Sequence, residues 1–451
     1  LPYFLRSRLA APEQAEVKQA IETVFRQLYD DLGDAIARFL DSKEAQEKQL
    51  GQALAYLEYE NLVTAVNLAL EVQVSAFRPY KALCDYWDIT QDHRRALDVL
   101  ETILARLEDY PSEALSGQLG AEFVGVLDNI AGRQLELKQY AAAETSYQKA
   151  LSVWLDNKAY EADEIRKASA SIYHQLGIVA EQQRQWAQAE EYYQQALETK
   201  IAFNDRYAQA CTYHHLGMVA LEQRQWEQAE EYYRKALEIK IAFSDRYEQA
   251  KTLHALGAVA QEKREFEQAE DYYRQALQLY IEFNDRFRQA SAYHQLGMVA
   301  EQRQQWAQAE QYCQQALEIQ VAFNDRYEQA KTYHQLGIVA QEQRQWAHAE
   351  AYYQQALEIF IAFNDRYHQG AVSHQLGMVA QEQQQWAQAR DYFLKALEAF
   401  VAHEDAHSCG IVLRSLARLW QASQDPDLHA AVAAVLDITP QEAENLLRAE
   451  T

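Results

Sequence analysis

Proline is almost missing from these 451 residues, with 6 in all, and glycine is sparse at 14. Both residues interrupt helices, so their scarcity suits a nearly continuous helical chain. Cysteine is rarer still. Cys84, Cys211, Cys313 and Cys409 show no C-x-x-C or zinc spacing and no disulfide framework, which points to a reducing, cytoplasmic compartment. Cations are in deficit: 42 Lys and Arg against 67 Asp and Glu leave a formal charge of −25. Such a field repels nucleic acid and anionic membrane, which excludes both as general partners. It serves solubility, or it complements a basic ligand segment. There is no long apolar run for a bilayer and no basic, apolar leader. No G-x-x-x-x-G-K-[ST] occurs, so nucleotide is not held by that route. The chain starts at Leu1 without methionine, which suggests a piece of a longer polypeptide.

What is present is repetition. Gly177, Gly217, Gly257, Gly297, Gly337 and Gly377 recur every 40 residues. His174, His214, His254, His294, His334 and His374 keep the same step three residues earlier, and Trp186, Trp226, Phe266, Trp306, Trp346 and Trp386 follow in register. A fixed period of this length predicts a solenoid in which each unit touches its neighbours. The organisation expected is a helical linker over 1–76, worn repeats over 77–165, six regular repeats over 166–405, and degenerate capping helices over 406–451.

In the linker, Pro12 and Glu13 predict a helix start. Val17, Ile21, Val24, Phe25 and Leu28 predict its apolar face. Gly33 and Asp34 suggest a break before a short helix carrying Ile36, Phe39 and Leu40. A third helix is expected from about Glu44 to Val74, with Leu54, Leu57, Leu62, Val66 and Leu70 on one side. Tyr80, Leu83, Ala96, Leu100 and Ile103 mark one worn pair, and Leu127, Ile130, Ala131, Tyr140, Ala143, Tyr147 and Ala150 another. At the far end Asp425-Pro426 stops a helix, and Thr439-Pro440-Gln441-Glu442 has the capping-box start of a last one.

Within one unit, Tyr213, Leu216, Gly217, Val219 and Ala220 form one helical stripe and Ala229, Tyr233, Ala236, Leu237 and Ile241 a second. Gln223-Arg224-Gln225 is the turn between them. Glycine inside a helix costs about 0.5–1 kcal/mol relative to alanine, so its recurrence calls for a close helix crossing. Asn204-Asp205 and its copies predict N-caps. Asp245/Glu248 and Asp325/Glu328 have capping-box spacing. Arg206, Arg246, Arg286, Arg326 and Arg366 each follow an Asp, and an Asp/Arg ladder between units is expected.

The series Tyr213, Leu216-Gly217, Ala220, Ala229, Tyr233, Ala236 resembles the tetratricopeptide repeat signature, with a period of 40 in place of 34. The resemblance implies an all-α, right-handed α-solenoid of helix-turn-helix pairs that binds a protein or peptide ligand. Leu57-Glu58-Tyr59-Glu60-Asn61-Leu62, followed by Ala65, resembles the helix between the NTPase core and the C-terminal repeats of STAND-class signalling ATPases. That implies a C-terminal sensor arm whose NTPase core lies upstream. A free-standing adaptor is the alternative.

In tetratricopeptide repeats the first helix lines the concave groove, so the resemblance implies a ligand wall of His174, His214, Met218, Lys251, His254, His294, Met298, Lys331, His334 and His374. Neighbouring first helices about 8–10 Å apart are too distant for one zinc, with ligands at about 2 Å, to join two of these histidines. The imidazoles either bond between units or contact ligand. Identical copies of one residue do not make a catalytic set. We therefore expect no catalytic residues, no metal, no cofactor and no enzyme activity.

Overall fold

The computed structural model describes residues 12–42, 44–111, 114–115, 117–157 and 159–450. The expectation of no leader falls on residues 1–11, outside the described residues. Among the described residues there are 22 α-helices, a short 3-10 turn at Pro12–Gln14, and no strand. They form two compact units, Leu1–Tyr232 and Tyr233–Thr451, divided inside the helix Trp226–Ala242. Each unit is an α-solenoid of consecutively packed helix pairs.

The first unit begins with α1 (Ala15–Leu40), α2 (Ala45–Leu57), α3 (Tyr59–Glu71), α4 (Phe77–Thr90), α5 (His93–Glu108), α6 (Gln118–Glu136) and α7 (Tyr140–Leu155). It continues with α8 (Ala162–Gln182), α9 (Trp186–Ala202) and α10 (Arg206–Glu222). The linker departs from expectation in three ways. No break occurs at Gly33; α1 runs through it, and the glycine serves a close crossing, since a Cβ there would lie 2.8 Å from Pro79 backbone atoms of α4. The buried face of α1 is Tyr29, Ile36, Ala37 and Leu40, while Val17, Val24 and Leu28 are exposed. The long third helix is interrupted at Glu58, whose carboxylate accepts from Tyr29 Oη at 2.6 Å and Asn61 Nδ2 at 2.7 Å. The interruption turns Leu57 out, 72% exposed, while Leu62, Val66 and Leu70 stay buried. The worn pairs α4–α5 and α6–α7 bury the apolar residues expected of them, except Tyr140, which is half-buried.

The helix α11 (Trp226–Ala242) leads to α12 (Arg246–Glu262), α13 (Phe266–Glu282), α14 (Arg286–Gln302), α15 (Trp306–Ala322), α16 (Arg326–Glu342) and α17 (Trp346–Ala362). Then come α18 (Arg366–Glu382), α19 (Trp386–Ala402), α20 (Ala406–Ser423), α21 (Leu428–Leu436) and α22 (Pro440–Ala449). The last two cover the final apolar face: Leu428, Val432 and Leu447 pack in the cluster of Phe393 and Leu397. The helix α22 opens on a true capping box between Thr439 and Glu442.

Each regular helix is followed by a residue in the left-handed region: Asn204, Ser244, Asn284, Asn324, Asn364 and Glu404 after the second helices, and Arg184, Arg224, Arg264, Gln304, Arg344 and Gln384 within the repeats. Asparagine tolerates this conformation best among residues with a Cβ. The following N–H then closes the turn on the helix end, as Asp285 N does on Tyr280 O at 2.9 Å. The same Asp caps the next helix: Asp205, Asp245, Asp285, Asp325, Asp365 and Asp405 each accept from the backbone N–H three residues on. These joints need no proline.

Three further expectations are corrected here. Glu248 and Glu328 do not complete capping boxes, because their carboxylates turn to Lys251 and Lys331. The inter-repeat ladder pairs Asp with tyrosine: Tyr247, Tyr327 and Tyr367 donate to Asp285, Asp365 and Asp405 at 2.7, 2.7 and 3.1 Å. Arg246 instead meets Glu282 at 2.8 Å. Ile241 is not in the core but 56% exposed, because the buried face of the helix runs through Tyr233, Ala236 and Lys240 and Ile241 lies off that face.

The recurring glycines sit at close crossings. A Cβ on Gly177, Gly257 or Gly377 would lie 2.5–2.7 Å from ring atoms of the buried Tyr193, Tyr273 or Phe393. At Gly297 the opposing atom is Cys313 Sγ, at 2.5 Å. Gly297→Leu is therefore expected to destabilise the second unit by about 1–3 kcal/mol through overpacking. Gly125→Ala, where a Cβ meets nothing within 4 Å, should instead add about 0.5–1 kcal/mol. Thermal melts of the two variants check both signs. A parent-like melt for Gly297→Leu would remove the crossing argument.

Candidate functional site

The histidine row occupies the middle of the first helices, two residues before the core leucine and, in four of the six repeats, one after a tyrosine. That phase places each imidazole at the edge of the helix pair, half-buried. In the first unit the His174 ring lies 5.4 Å from Tyr193 and 5.1 Å from His215, with Nδ1 3.4 Å from Thr212 Oγ1. His214 has its ring 6.1 Å from that of His215.

The second unit repeats the theme with local substitutions. His254 lies against Tyr273 at 5.1 Å, with Nε2 3.5 Å from Ser291 Oγ. Cys313 replaces the aromatic partner of His294, and Nδ1 exchanges a hydrogen bond with Thr332 Oγ1 at 3.1 Å. His374 lies 5.5 Å from Phe393 and bonds Ser415 Oγ at 2.9 Å through Nε2. His334 packs on Tyr353 at 5.7 Å, and its buried Nε2 meets no partner. The residue that would face it in the next repeat is Val372, which offers no hydroxyl.

Burial is the first cause of the titration behaviour. It pushes His174 down from 6.5 to about 3, helped by Lys200 and His215. It pushes His254, His294, His334 and His374 to about 4. These rings are neutral at physiological pH, with one nitrogen to donate and one to accept. Among the described residues no group of three or more His, Cys, Asp or Glu could hold a metal ion.

The other wall residues divide. Met218 and Met298 are half-buried, and their flexible thioethers suit adaptable contacts. Lys251 and Lys331 are engaged internally, each on the Glu one turn earlier and over the ring of Tyr247 or Tyr327 at 5.0 and 4.9 Å. Two groups escaped the sequence reasoning. Lys200 and Lys240 are buried, with Nζ 2.8 and 2.9 Å from Thr212 and Thr252. The ends of the second helices also expose apolar rows in the second unit: Ile281, Val321 and Ile361 beside Phe283, Phe323 and Phe363. The signal for the lysines was in the sequence: Lys, Lys, Tyr, Gln, Phe and Phe alternate at one register position, beside near-invariant neighbours.

Residues 169–241, 208–282 and 288–362 match the tetratricopeptide repeat family, and these segments are tetratricopeptide repeats. No curated protein matches the chain. Among solved structures, aspartyl phosphate phosphatase F from Bacillus subtilis aligns with a TM-score of 0.52 at 15% identity, over 85% of this chain and 95% of its own. The apo form of RapI aligns with a TM-score of 0.51 at 15% identity, over 63% of this chain and 99% of its own. The likeness is one of fold. The chain is a repeat scaffold of the protein-interaction type. No described helix is long and apolar enough to cross a membrane.

The desolvated histidines make stability depend on pH. Unfolded imidazoles titrate near 6.5 and the folded ones near 4, so between these values the unfolded chain binds more protons. Stability is complete above about pH 6.5 and declines as acid carries the pH toward 4. Melts at about pH 7 and about pH 5 should show that drop, and His334→Gln should make it shallower by on the order of 1 kcal/mol. An unchanged slope would mean that His334 is solvated.

Proposed function

We propose that this chain recognises a protein or peptide segment along its first helices, with the wall formed by His174, His214, Met218, Lys251, His254, His294, Met298, Lys331, His334 and His374, and that it does so without catalysis. The supporting observation is the repetition itself. A neutral donor–acceptor imidazole recurs at one phase of successive helices, interleaved with half-buried methionines. Long walls of this kind bind extended or helical segments through many modest contacts.

The finer reading is a sensor arm of a cytoplasmic STAND-type signalling ATPase, with the NTPase core upstream. It rests on the segment from Leu57 to Ala65, whose Leu62 and Ala65 are buried against the linker. Ligand-induced, ATP-dependent oligomerisation of the native full-length polypeptide would support it. A full-length polypeptide without a nucleotide-binding core would leave the free-standing adaptor.

Peptides selected on the chain from a displayed random library provide the test. His254→Ala with His294→Ala should weaken their binding by about 1–4 kcal/mol if these rings are anchors. The lost Thr332 bond should lower stability by about 1 kcal/mol. Unchanged peptide affinity beside a lowered melt would make the row scaffold only. The chain should also show no saturable hydrolysis of ATP or p-nitrophenyl phosphate. Activity that survives repurification would overturn the non-catalytic assignment.

A further inference from the structure

Five joints of the second unit can be compared position by position; the last, with Phe400, Asp405 and Ser408, leads into the capping helices, and of the four between regular repeats three are filled by a basic side chain of the chain itself. At the first, Lys240 is 1% exposed and places Nζ 3.3 Å from Glu248 Oε2 and 2.9 Å from Thr252 Oγ1. At the second, Arg288 lies against Tyr247 and Tyr280, with Nε 3.7 Å from Asp285 Oδ2. At the fourth, His368 stacks on Phe360 at 4.9 Å and bonds Asp365 at 2.8 Å.

The third joint has Gln320, Asp325 and Glu328 at the corresponding positions, and no basic group among them. It is also uncovered. Phe287 stands where Tyr247 and Tyr327 stand; lacking a hydroxyl, it cannot donate to Asp325, and it is 58% exposed. Ser291 stands where Lys251 and Lys331 cap the rings. The result is a crevice of about 210 Å³ between Phe287, Ile319, Gln320, Phe323, Asp325 and Glu328. Gln320 is 4% exposed, and no donor reaches its buried Oε1.

We propose that this crevice takes a lysine or arginine side chain presented by a protein or peptide partner. The assignment rests on protein recognition as the function and names the chemistry recognised. The aliphatic stem lies between the two phenylalanine rings, whose faces also favour a cation. The head donates to Gln320 Oε1 and pairs with the Asp325 and Glu328 carboxylates. Glu328 already holds Lys331 at 2.6 Å. Glu248 shows that this position accepts two ammonium groups, since it meets both Lys240 and Lys251. An acidic group would be repelled, and an apolar one would leave the buried amide unpaired at a cost. The volume is below the roughly 300–1,000 Å³ of small-molecule pockets and suits one side chain. A net charge of −25 favours the approach of a basic segment.

The test uses acetylated, amidated Ala-Ala-X-Ala-Ala peptides with X as arginine, lysine or norleucine, titrated into the full chain and followed at the Ile319 δ1 methyl. Arginine and lysine peptides should give saturable shifts, with norleucine weaker by about tenfold or more. Gln320→Lys copies the Lys240 arrangement, and Phe287→Tyr copies the Tyr247 rung to Asp285. Both should fold, as melts will verify, and both should cut the arginine-peptide affinity by about tenfold. Equal binding of norleucine, or unaltered affinity in Gln320→Lys, would overturn the assignment. If Ile319 stays silent while library-selected peptides still need His254 and His294, the crevice assignment fails alone. If the cationic peptides shift Ile319 but the histidine variant binds normally, the row fails and the crevice stands.

Discussion

The close approach of a helical glycine to a buried side chain of its partner helix, a ring at Gly177, Gly257, Gly337 and Gly377 and the Cys313 thiol at Gly297, sets the geometry of these regular repeats. Gly177 against Tyr193, Gly257 against Tyr273 and Gly377 against Phe393 leave no room for a methyl group. With the pair fixed at that distance, Ala189, Ala269 and Ala389 are wholly buried at the same crossings. Where a ring opposes the glycine, the imidazole three residues before it lies against that ring, as at His174, His254, His334 and His374, and its desolvation follows. Packing and histidine chemistry are thus one constraint.

The period, the helix pairs, the aspartate caps and the terminal capping helices could be read from the residues because each depends on local pattern. What could not be read depends on direction. Glu248 has capping-box spacing, but Lys240 and Lys251 compete for its carboxylate. The Arg after each Asp looked like the ladder partner, yet the tyrosine one residue on has the reach and the hydroxyl. In the linker, Gly33 looked like a break because its tertiary neighbour, Pro79, lies 46 residues away and carries no periodic signal. At the site, the histidine phase was legible, whereas the Thr332 and Ser415 partners depend on which residue the next repeat offers.

Variation inside a repeat carries information of a different kind from variation on its surface. The register position of Lys240, Tyr280, Gln320 and Phe360 is buried in these four copies, as it is at Lys200 and Phe400, so its chemistry is answered by neighbours. Lysine finds Glu248, tyrosine lies beside Arg288, and phenylalanine stacks on His368. Only glutamine keeps an unanswered acceptor among these four, at the joint where the covering tyrosine is also absent. The coincidence of two departures from the repeat at one joint separates a site from ordinary drift.

Near-identical neighbours create a hazard during folding, because a helix pair can dock one repeat out of place and still bury the same alanines and leucines. The buried variable position acts as a register key against that error. If the repeat ending at Lys240 stacked one unit too far along, its ammonium would meet Arg288 and Ala292 in place of Glu248 and Thr252. The buried ammonium would then face the Arg288 guanidinium in place of a carboxylate, a like-charge contact that the correct order avoids. The sequence differences that look like wear in an otherwise uniform array would in this way hold its repeats in order.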